Sequence, residues 1–184
     1  MFVHGDVGFR PIEATDLEKI RRLRNDPSTW AQLGGRDHIT FEEQGDWFEA
    51  LKRDRSRAYY TAFAVERDPD GAWQVEGDFL GVIRTDEIDA QNRSIRVGLD
   101  IDPGKRGHGW ATKIYAALLK WLFDYRGFHR AWLMVLDSNE IARKLYLNAG
   151  FRVEGKQRRA IWRDGRWIDY VMMSILDDEY RGTN

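Results

Sequence analysis

The stretch Leu99-Asp100-Ile101-Asp102-Pro103-Gly104-Lys105-Arg106-Gly107-His108-Gly109-Trp110-Ala111 decides how the chain is read. A strand that begins at Ser94 ends at Ile101, a glycine-rich turn follows, and an apolar helix begins at Gly109. Glycine allows the backbone to approach a ligand and turn its amides inward. Successive inward amides form an anion nest, and a helix N-terminus adds partial positive charge. With Lys105 and Arg106 beside it, this turn has the makings of a diphosphate cradle. It is not a Walker A loop, because Trp110 stands where the lysine belongs. Nor is it a dinucleotide fingerprint: Gly107 and Gly109 match the first two glycines, but Thr112 replaces the third.

Downstream, Gly109 to Tyr125 reads as a largely buried helix, with Ala111, Tyr115, Leu118, Leu122 and Tyr125 on one stripe and Trp110, Ile114 and Trp121 on another. Ala131 to Leu136 is an interior strand. Asp137 and Glu140 are cap candidates for a helix that stops at a left-handed Gly150, and Asn139 is a cap residue by type. Asp164-Gly165 predicts a type I′ hairpin that sets Arg163 opposite Arg166, Trp162 opposite Trp167 and Ile161 opposite Ile168. The tryptophan pair reads as buried. Two facing arginines are unfavourable unless they splay into solvent or hold an anion.

Upstream, Val7 to Ile12 reads as a strand, followed by a capping box at Thr15 to Glu18 and a helix ending at Asn25-Asp26-Pro27. A second capping box, Thr40 to Glu43, starts a helix with Trp47, Phe48 and Leu51 on one face. Strands are expected at Tyr59 to Glu66, Gly77 to Thr85 and Ser94 to Ile101, with a turn at Asp68-Pro69-Asp70-Gly71 and a polar connection from Asp86 to Asn92. Helical and strand segments alternate along residues 1–184, which predicts one domain of α/β or α+β class.

Arg106-Gly107-His108-Gly109-Trp110-Ala111 resembles the pyrophosphate loop of the GNAT acetyltransferase superfamily, Arg/Gln-x-x-Gly-x-Gly/Ala. A second motif, Asn139-Glu140-Ile141-Ala142-Arg143-Lys144-Leu145-Tyr146-Leu147-Asn148-Ala149-Gly150-Phe151, is similar to that family's Asn-x-x-Ala-x-x-x-Tyr-x-x-x-Gly-Phe, one helix and one strand downstream. Glu154-Gly155, Asp164-Gly165 and Asp169 look most like the branch with ribosomal-protein N-terminal, spermidine and amino-sugar N-acetyltransferases. The resemblance implies an α+β (α/β/α) fold: a mixed, mostly antiparallel sheet with a V-shaped splay, flanked by helices. It implies acetyl-CoA as co-substrate and direct, sequential transfer of acetyl to a primary amine. Leu99 and Ile101 would then bind pantetheine and the acyl carbonyl through backbone groups. Arg106, Gly107, His108, Gly109, Trp110, Ala111 and Thr112 would hold the diphosphate. Asn139, beside Ala142, would bind the pantetheine arm, and Arg143 would reach the phosphates. Tyr146 would be the acid that protonates the leaving thiolate.

An alkyl ammonium has a pKa near ~10, so the incoming amine has to lose a proton. Relatives often carry a glutamate two residues before the glycine of the strand ending at Ile101. Here that glycine is Gly98 and the position is Arg96. Asp100 is the nearest carboxylate, with Asp86 and Glu87 as others. Asp100 is therefore the base candidate, with a structural carboxylate as its plain alternative. Acceptor-side candidates are Arg24 and Trp30, in the segment after the first helix, and Arg163 in the hairpin.

Composition narrows the rest. With 29 basic and 30 acidic residues the net charge is −1, so nucleic acid is not expected as a partner. The basic-aromatic run from Lys156 to Trp167 keeps an RNA-binding module open as a rival, and Arg96 in place of glutamate keeps open a non-catalytic acyl-CoA sensor. The run's excess of bases argues against a polyamine acceptor and for an acidic one. The chain has no cysteine, and His4, His38, His108 and His129 lack ligand spacing, so no metal is expected. No leader pattern or apolar run long enough for a membrane is seen, which predicts a cytoplasmic protein with no membrane partner. The acceptor reads as a small-molecule or peptide amine. Eight tryptophans leave room for an apolar interface such as a homodimer would bury.

Overall fold

The computed structural model describes residues 1–33, 38–67 and 74–182. Its elements in chain order are β1 (Phe2–His4), β2 (Val7–Pro11), α1 (Leu17–Asn25), α2 (Pro27–Trp30), α3 (Phe41–Arg53), β3 (Ala58–Arg67), β4 (Gln74–Asp89), β5 (Ser94–Ile101), α4 (Trp110–Lys120), β6 (Arg130–Leu136), α5 (Glu140–Asn148), β7 (Arg152–Arg163), β8 (Arg166–Leu176) and α6 (Asp177–Gly182). The strands form one sheet in the order β1-β2-β3-β4-β5-β6-β8-β7. Every neighbouring pair is antiparallel except β5 and β6. This is the mixed, mostly antiparallel sheet flanked by helices that the sequence implies.

Alternation along the strands sorts side chains to two faces. On one face Ile83, Ile95, Val97, Ala131, Leu133 and Val135 join Ile114, Tyr115, Leu118 and Leu122 of the α4 segment in the main core. On the other, Val82 packs with Ile20 and Leu23 of α1 and Phe48 and Leu51 of α3. Asp100 pairs with Val82, Gly98 with Arg84 and Arg96 with Asp86, so these residues share the face that α1 and α3 cover.

Local chemistry explains most boundaries. Thr40 and Glu43 form the expected capping box, the Glu43 amide donating to Thr40 Oγ1 at 3.2 Å and the Thr40 amide to Glu43 Oε2 at 2.8 Å. The box expected at Thr15 sits two residues earlier. A short 3₁₀ turn over Ala14–Asp16 precedes α1, and the Glu13 amide donates to the buried Asp16 at 2.8 Å. Asp16 is held there by Arg10 at 2.7 Å, while Glu18 pairs with Arg21 and Arg22 instead. Asn139, not Asp137 or Glu140, caps α5, and Gly150 takes the left-handed φ of +93°. Asp137 instead pairs with Arg143 and Lys156. β4 runs on to Asp89 through an irregularity after Asp86, replacing the polar connection expected there. The turn expected at Asp68 to Gly71 lies outside the described residues.

Two further expectations change. The α4 segment ends in a π-helical turn over Trp121–Tyr125, and the wider turn rotates Tyr125 out of the buried stripe to 65% exposure, where it covers Phe2 edge-on. At the hairpin, Asp164 and Gly165 have φ of +50° and +77°, and all three predicted cross-strand pairs form. The tryptophan pair is nevertheless exposed, at 57% and 55%, with ring centroids 5.1 Å apart. The reason is length: β6 pairs with β8 only as far as Leu136 opposite Tyr170, so the hairpin beyond overhangs the sheet. Arg163 and Arg166 part to opposite environments. Arg166 is exposed, while Arg163 is buried and donates to the carbonyls of Ala31 and Leu33.

At Gly81 the backbone of β4 lies so close to β5 that a Cβ would sit 2.1 Å from the Asp100 carbonyl oxygen. Gly81→Ala should therefore destabilise the fold by about 2 kcal/mol and lower the thermal midpoint by about 6 °C in a thermal melt.

Candidate active site

The site begins where the sheet parts. β5 and β6 are registered as a parallel pair at Ser94, Ile95 and Arg96 against Arg130, Ala131 and Trp132, and the pairing ends there. From Val97 to Ile101, β5 keeps β4 on one side but has no registered partner in β6 on the other. Across the gap, β6 from Leu133 to Leu136 stays bonded to β8. The V-shaped splay implied by the sequence is thus present, with Leu99 and Ile101 on its unpaired edge. A strand edge without a neighbouring strand suits an extended amide-bearing chain such as pantetheine, although the Ile101 carbonyl at its end already accepts from Arg106.

At the open end of the V the chain turns through Pro103–Lys105 into α4. Gly107 and Gly109 both have φ of +78°, and a Cβ on either would meet nothing within 4 Å. These glycines are needed for their left-handed backbone, and the space in front of them is clear. α4 carries no acidic residue in its first turn and no side-chain N-cap, so no side chain of the helix end takes up its leading amides. Thr112 and His108 are exposed, and Trp110 is half-buried with Lys113 Nζ 4.9 Å from its ring centre. An eleven-residue helix with uncapped amides behind two left-handed glycines fits a diphosphate.

The guanidinium of Arg106 does something the sequence does not announce. Nε donates to the Ile101 carbonyl at 3.2 Å, Nη1 to Ser28 Oγ at 2.7 Å and Nη2 to Thr29 Oγ1. The side chain is engaged with α2, and a diphosphate contact from this residue would have to come from its backbone.

Inside the V, Tyr146 of α5 is buried against Tyr115 and Phe151, with ring centroids 5.3 and 5.9 Å away. Burial pushes its phenol pKa up, while the Tyr115 hydroxyl and the Arg84 charge pull it back and Asp100 adds to the rise. The phenol therefore stays protonated through the neutral range and is suited to giving a proton to a thiolate. Tyr115, fully buried, is pushed well up by the same desolvation. Asp100 is 5% exposed. Its Oδ1 accepts from Arg84 Nη2 at 3.2 Å, and its Oδ2 has no hydrogen-bond partner among the described residues. A buried carboxylate with one oxygen tied and one free is an unusual expense unless a ligand meets the second oxygen.

Sequence reading missed Arg84, and the available signal was Gly98. The two residues are cross-strand partners, and a Cβ on Gly98 would lie 2.8 Å from Arg84 Nη2. The glycine leaves the space through which Arg84 reaches Asp100. Asp100 raises the Arg84 pKa further above its ordinary value. The other carboxylates are occupied: Asp86 accepts from the Tyr59 hydroxyl at 3.4 Å, and Glu87 pairs at 3.0 Å with Arg96, which also lies over Trp132.

Several candidates turn out to have structural partners. Asn139 Oδ1 accepts the Ala142 amide at 3.1 Å, as a helix cap. Arg143 is held by Asp137 at 2.8 Å. Arg24 is half-buried on α1, its Nε without a hydrogen-bond partner, and its charge acts on Tyr59. Trp30 closes α2, and Arg163 reaches that same segment from the hairpin. The structure thus brings Trp30, Arg163 and Arg106 together around α2, and Arg84, Asp100, Tyr115 and Tyr146 together within the V. Among the described residues no three His, Asp or Glu side chains gather as metal ligands, and no helix is long and apolar enough to cross a membrane.

Arg84→Met would leave Asp100 buried without its cation. The variant should lose about 2 kcal/mol in denaturant unfolding, less than a fully dry pair because Arg84 is partly exposed. Adding Asp100→Leu should recover most of the loss, and an additive double-mutant cycle would contradict the pairing.

Comparison with known proteins places this geometry. A family model described as "Acetyltransferase (GNAT) domain" matches residues 6–152. Spermidine N(1)-acetyltransferase of Escherichia coli K12 is 26% identical over 174 residues, covering 95% of this chain and 88% of that protein. Mycothiol acetyltransferase of Salinispora tropica is 33% identical over 133 residues, 68% of this chain and 41% of that protein. The crystal structure of spermidine N-acetyltransferase from Vibrio cholerae with CoA and spermine superposes with a TM-score of 0.86 at 22% identity, over 97% of this chain and 99% of that one. A splayed sheet, an uncapped α4 behind left-handed glycines and a matching family model agree, and the chain belongs to the GNAT acetyltransferase family.

Proposed function

We propose that residues 1–184 form one catalytic domain that transfers the acetyl group of acetyl-CoA to a small primary amine by direct attack. The observation that carries this reading is the arrangement inside the V. A buried phenol held in its protonated form and a buried carboxylate with a free oxygen lie within electrostatic reach of each other, beside an unpaired strand edge.

Acetyl-CoA, when bound, supplies the activated acyl group. The chain's own residues do the rest. The edge of β5 from Leu99 to Ile101 receives the pantetheine and offers backbone donors where negative charge builds on the acyl oxygen. The amides from Gly107 to Thr112 take the diphosphate, and Asn139 orients the arm at the α5 terminus. Tyr146 gives its proton to the departing sulfur. Asp100, through the oxygen that Arg84 leaves free, receives the proton lost by the amine, directly or through one water. Arg84 ties the other oxygen of Asp100, so the free oxygen is the one a ligand can reach.

For the acceptor, a small aliphatic polyamine heads the candidates, ahead of amino sugars and peptide N-termini. The spermidine N-acetyltransferases of Escherichia coli and Vibrio cholerae support this order. The hairpin's bases argue the other way, although one of them, Arg163, is turned inward onto the carbonyls of Ala31 and Leu33 just after α2. A Vibrio cholerae spermidine N-acetyltransferase has also been solved as a dodecamer, with a TM-score of 0.79 at 22% identity, so a symmetric assembly larger than a homodimer belongs to this proposal.

The test is release of free thiol from acetyl-CoA against spermidine, an amino sugar and a peptide. Tyr146→Phe should lower kcat about 10²-fold, and Asp100→Asn by a similar factor, with CoA affinity nearly unchanged. CoA binding with no turnover on any acceptor would favour the sensor reading, and no CoA binding would overturn the family's chemistry for this chain.

A further inference from the structure

We infer that Arg106 is a positioning residue that couples the cofactor loop to the acceptor side of the V, so that filling the loop orders the segment from Asp26 to Leu33. The inference rests on the cofactor reading above and goes beyond it.

The geometry is a bridge with two feet. Arg106 leaves the backbone between the 3₁₀ turn and Gly107, immediately before the left-handed glycines. Its Nε returns to the Ile101 carbonyl, the last residue of the β5 edge. Its two terminal nitrogens donate to Ser28 and Thr29, in the first turn of α2. A planar fork with one donor on the strand end and two on a helix transmits orientation better than a flexible ammonium would. The far foot is stiff: Thr29 is 3% exposed, and the Ser28 hydroxyl and amide both bond to Asp26, which caps α2. The charge of Arg106 also helps hold Asp26 below the usual carboxylate range, after the Ser28 hydroxyl and the α2 amides.

α2 draws its order from tertiary contacts. It is four residues long, and isolated helices of that length have no stability of their own. A second arginine grips its other end, Arg163 donating from the hairpin to the carbonyls of Ala31 and Leu33. Two guanidinium groups thus reach the segment, one from the cofactor loop and one from the hairpin. Any ligand that fixes the loop backbone fixes the root of Arg106, and through it Ser28 and Thr29. By linkage, an acceptor that orders α2 raises affinity for CoA by the factor by which CoA raises its own.

The experiment uses the full chain and free CoA, read by hydrogen exchange at the amides of residues 28–33 alongside calorimetric binding. In the native protein, CoA should slow exchange in this segment by about fivefold or more. The double variant Ser28→Ala, Thr29→Val removes both hydroxyl acceptors and leaves the loop and Arg106 in place. It should bind CoA with calorimetric affinity like that of the native chain, yet show less than about twofold protection of residues 28–33. Arg106→Lys, which keeps charge but loses the fork, should fall between. In turnover with spermidine, the double variant should raise KM for the amine more than it lowers kcat. Unchanged protection in the double variant, or no response of residues 28–33 to bound CoA in the native chain, overturns the coupling while leaving the cofactor site standing. Failure of CoA to bind the native chain overturns both.

Discussion

The organisation of this protein depends on where two parallel strands stop bonding to each other. Up to Arg96 and Trp132 the sheet is continuous; beyond, β5 and β6 follow different neighbours. A gap in a sheet is costly, because each unpaired amide and carbonyl loses a partner that the interior does not replace. The gap is stable because each strand remains fully paired on its outer side, and α4 and its buried residues span the inner face of both. The opening is therefore a property of the scaffold and not of a mobile loop. It is also why the polar residues inside it, Arg84 and Asp100, can be carried on strands, where their positions are fixed by register.

Much of this was legible in the sequence, for identifiable reasons. Strand alternation, Pro27, the Thr40 box and Asp164-Gly165 act locally, and a local signal survives without knowledge of the fold. The glycine turn at 104–109 was readable because positive φ and an anion nest have a residue signature. What failed was what depends on distant partners. Thr15 matched a capping pattern, but Arg10 draws Asp16 into the role and shifts the start of the helix. The hairpin sequence puts Trp162 opposite Trp167 but does not set their exposure, because nothing in it states where β6 ends. The site divides in the same way. Tyr146 and the loop amides belong to motifs within one segment, whereas the hydroxyl partners of Arg106 lie 78 and 77 residues away and the carbonyl partners of Arg163 132 and 130.

Arginine does an unusual share of the positioning here. Arg84 reaches across a glycine to a buried carboxylate, Arg106 ties a turn to a short helix, and Arg163 ties the hairpin to the same helix. Arg106 and Arg163 use the spread of the guanidinium to join segments far apart in the chain, and Arg84 uses it to link two paired strands through their side chains. A core built from aliphatic side chains fills volume but transmits little direction. Forked hydrogen bonds fix angle as well as distance, which the proposed alignment of an amine with an acyl carbon would require.

The overhanging hairpin has an optical consequence. Two indole rings with centroids 5.1 Å apart and planes inclined at 59° are close enough for their electronic transitions to mix. Coupled chromophores in a fixed twist produce a paired circular-dichroism band that vanishes when either ring is lost or the geometry relaxes. Trp162 and Trp167 stand exposed at the tip that carries Arg163, so the protein has a built-in spectral signature of hairpin order that needs no added label.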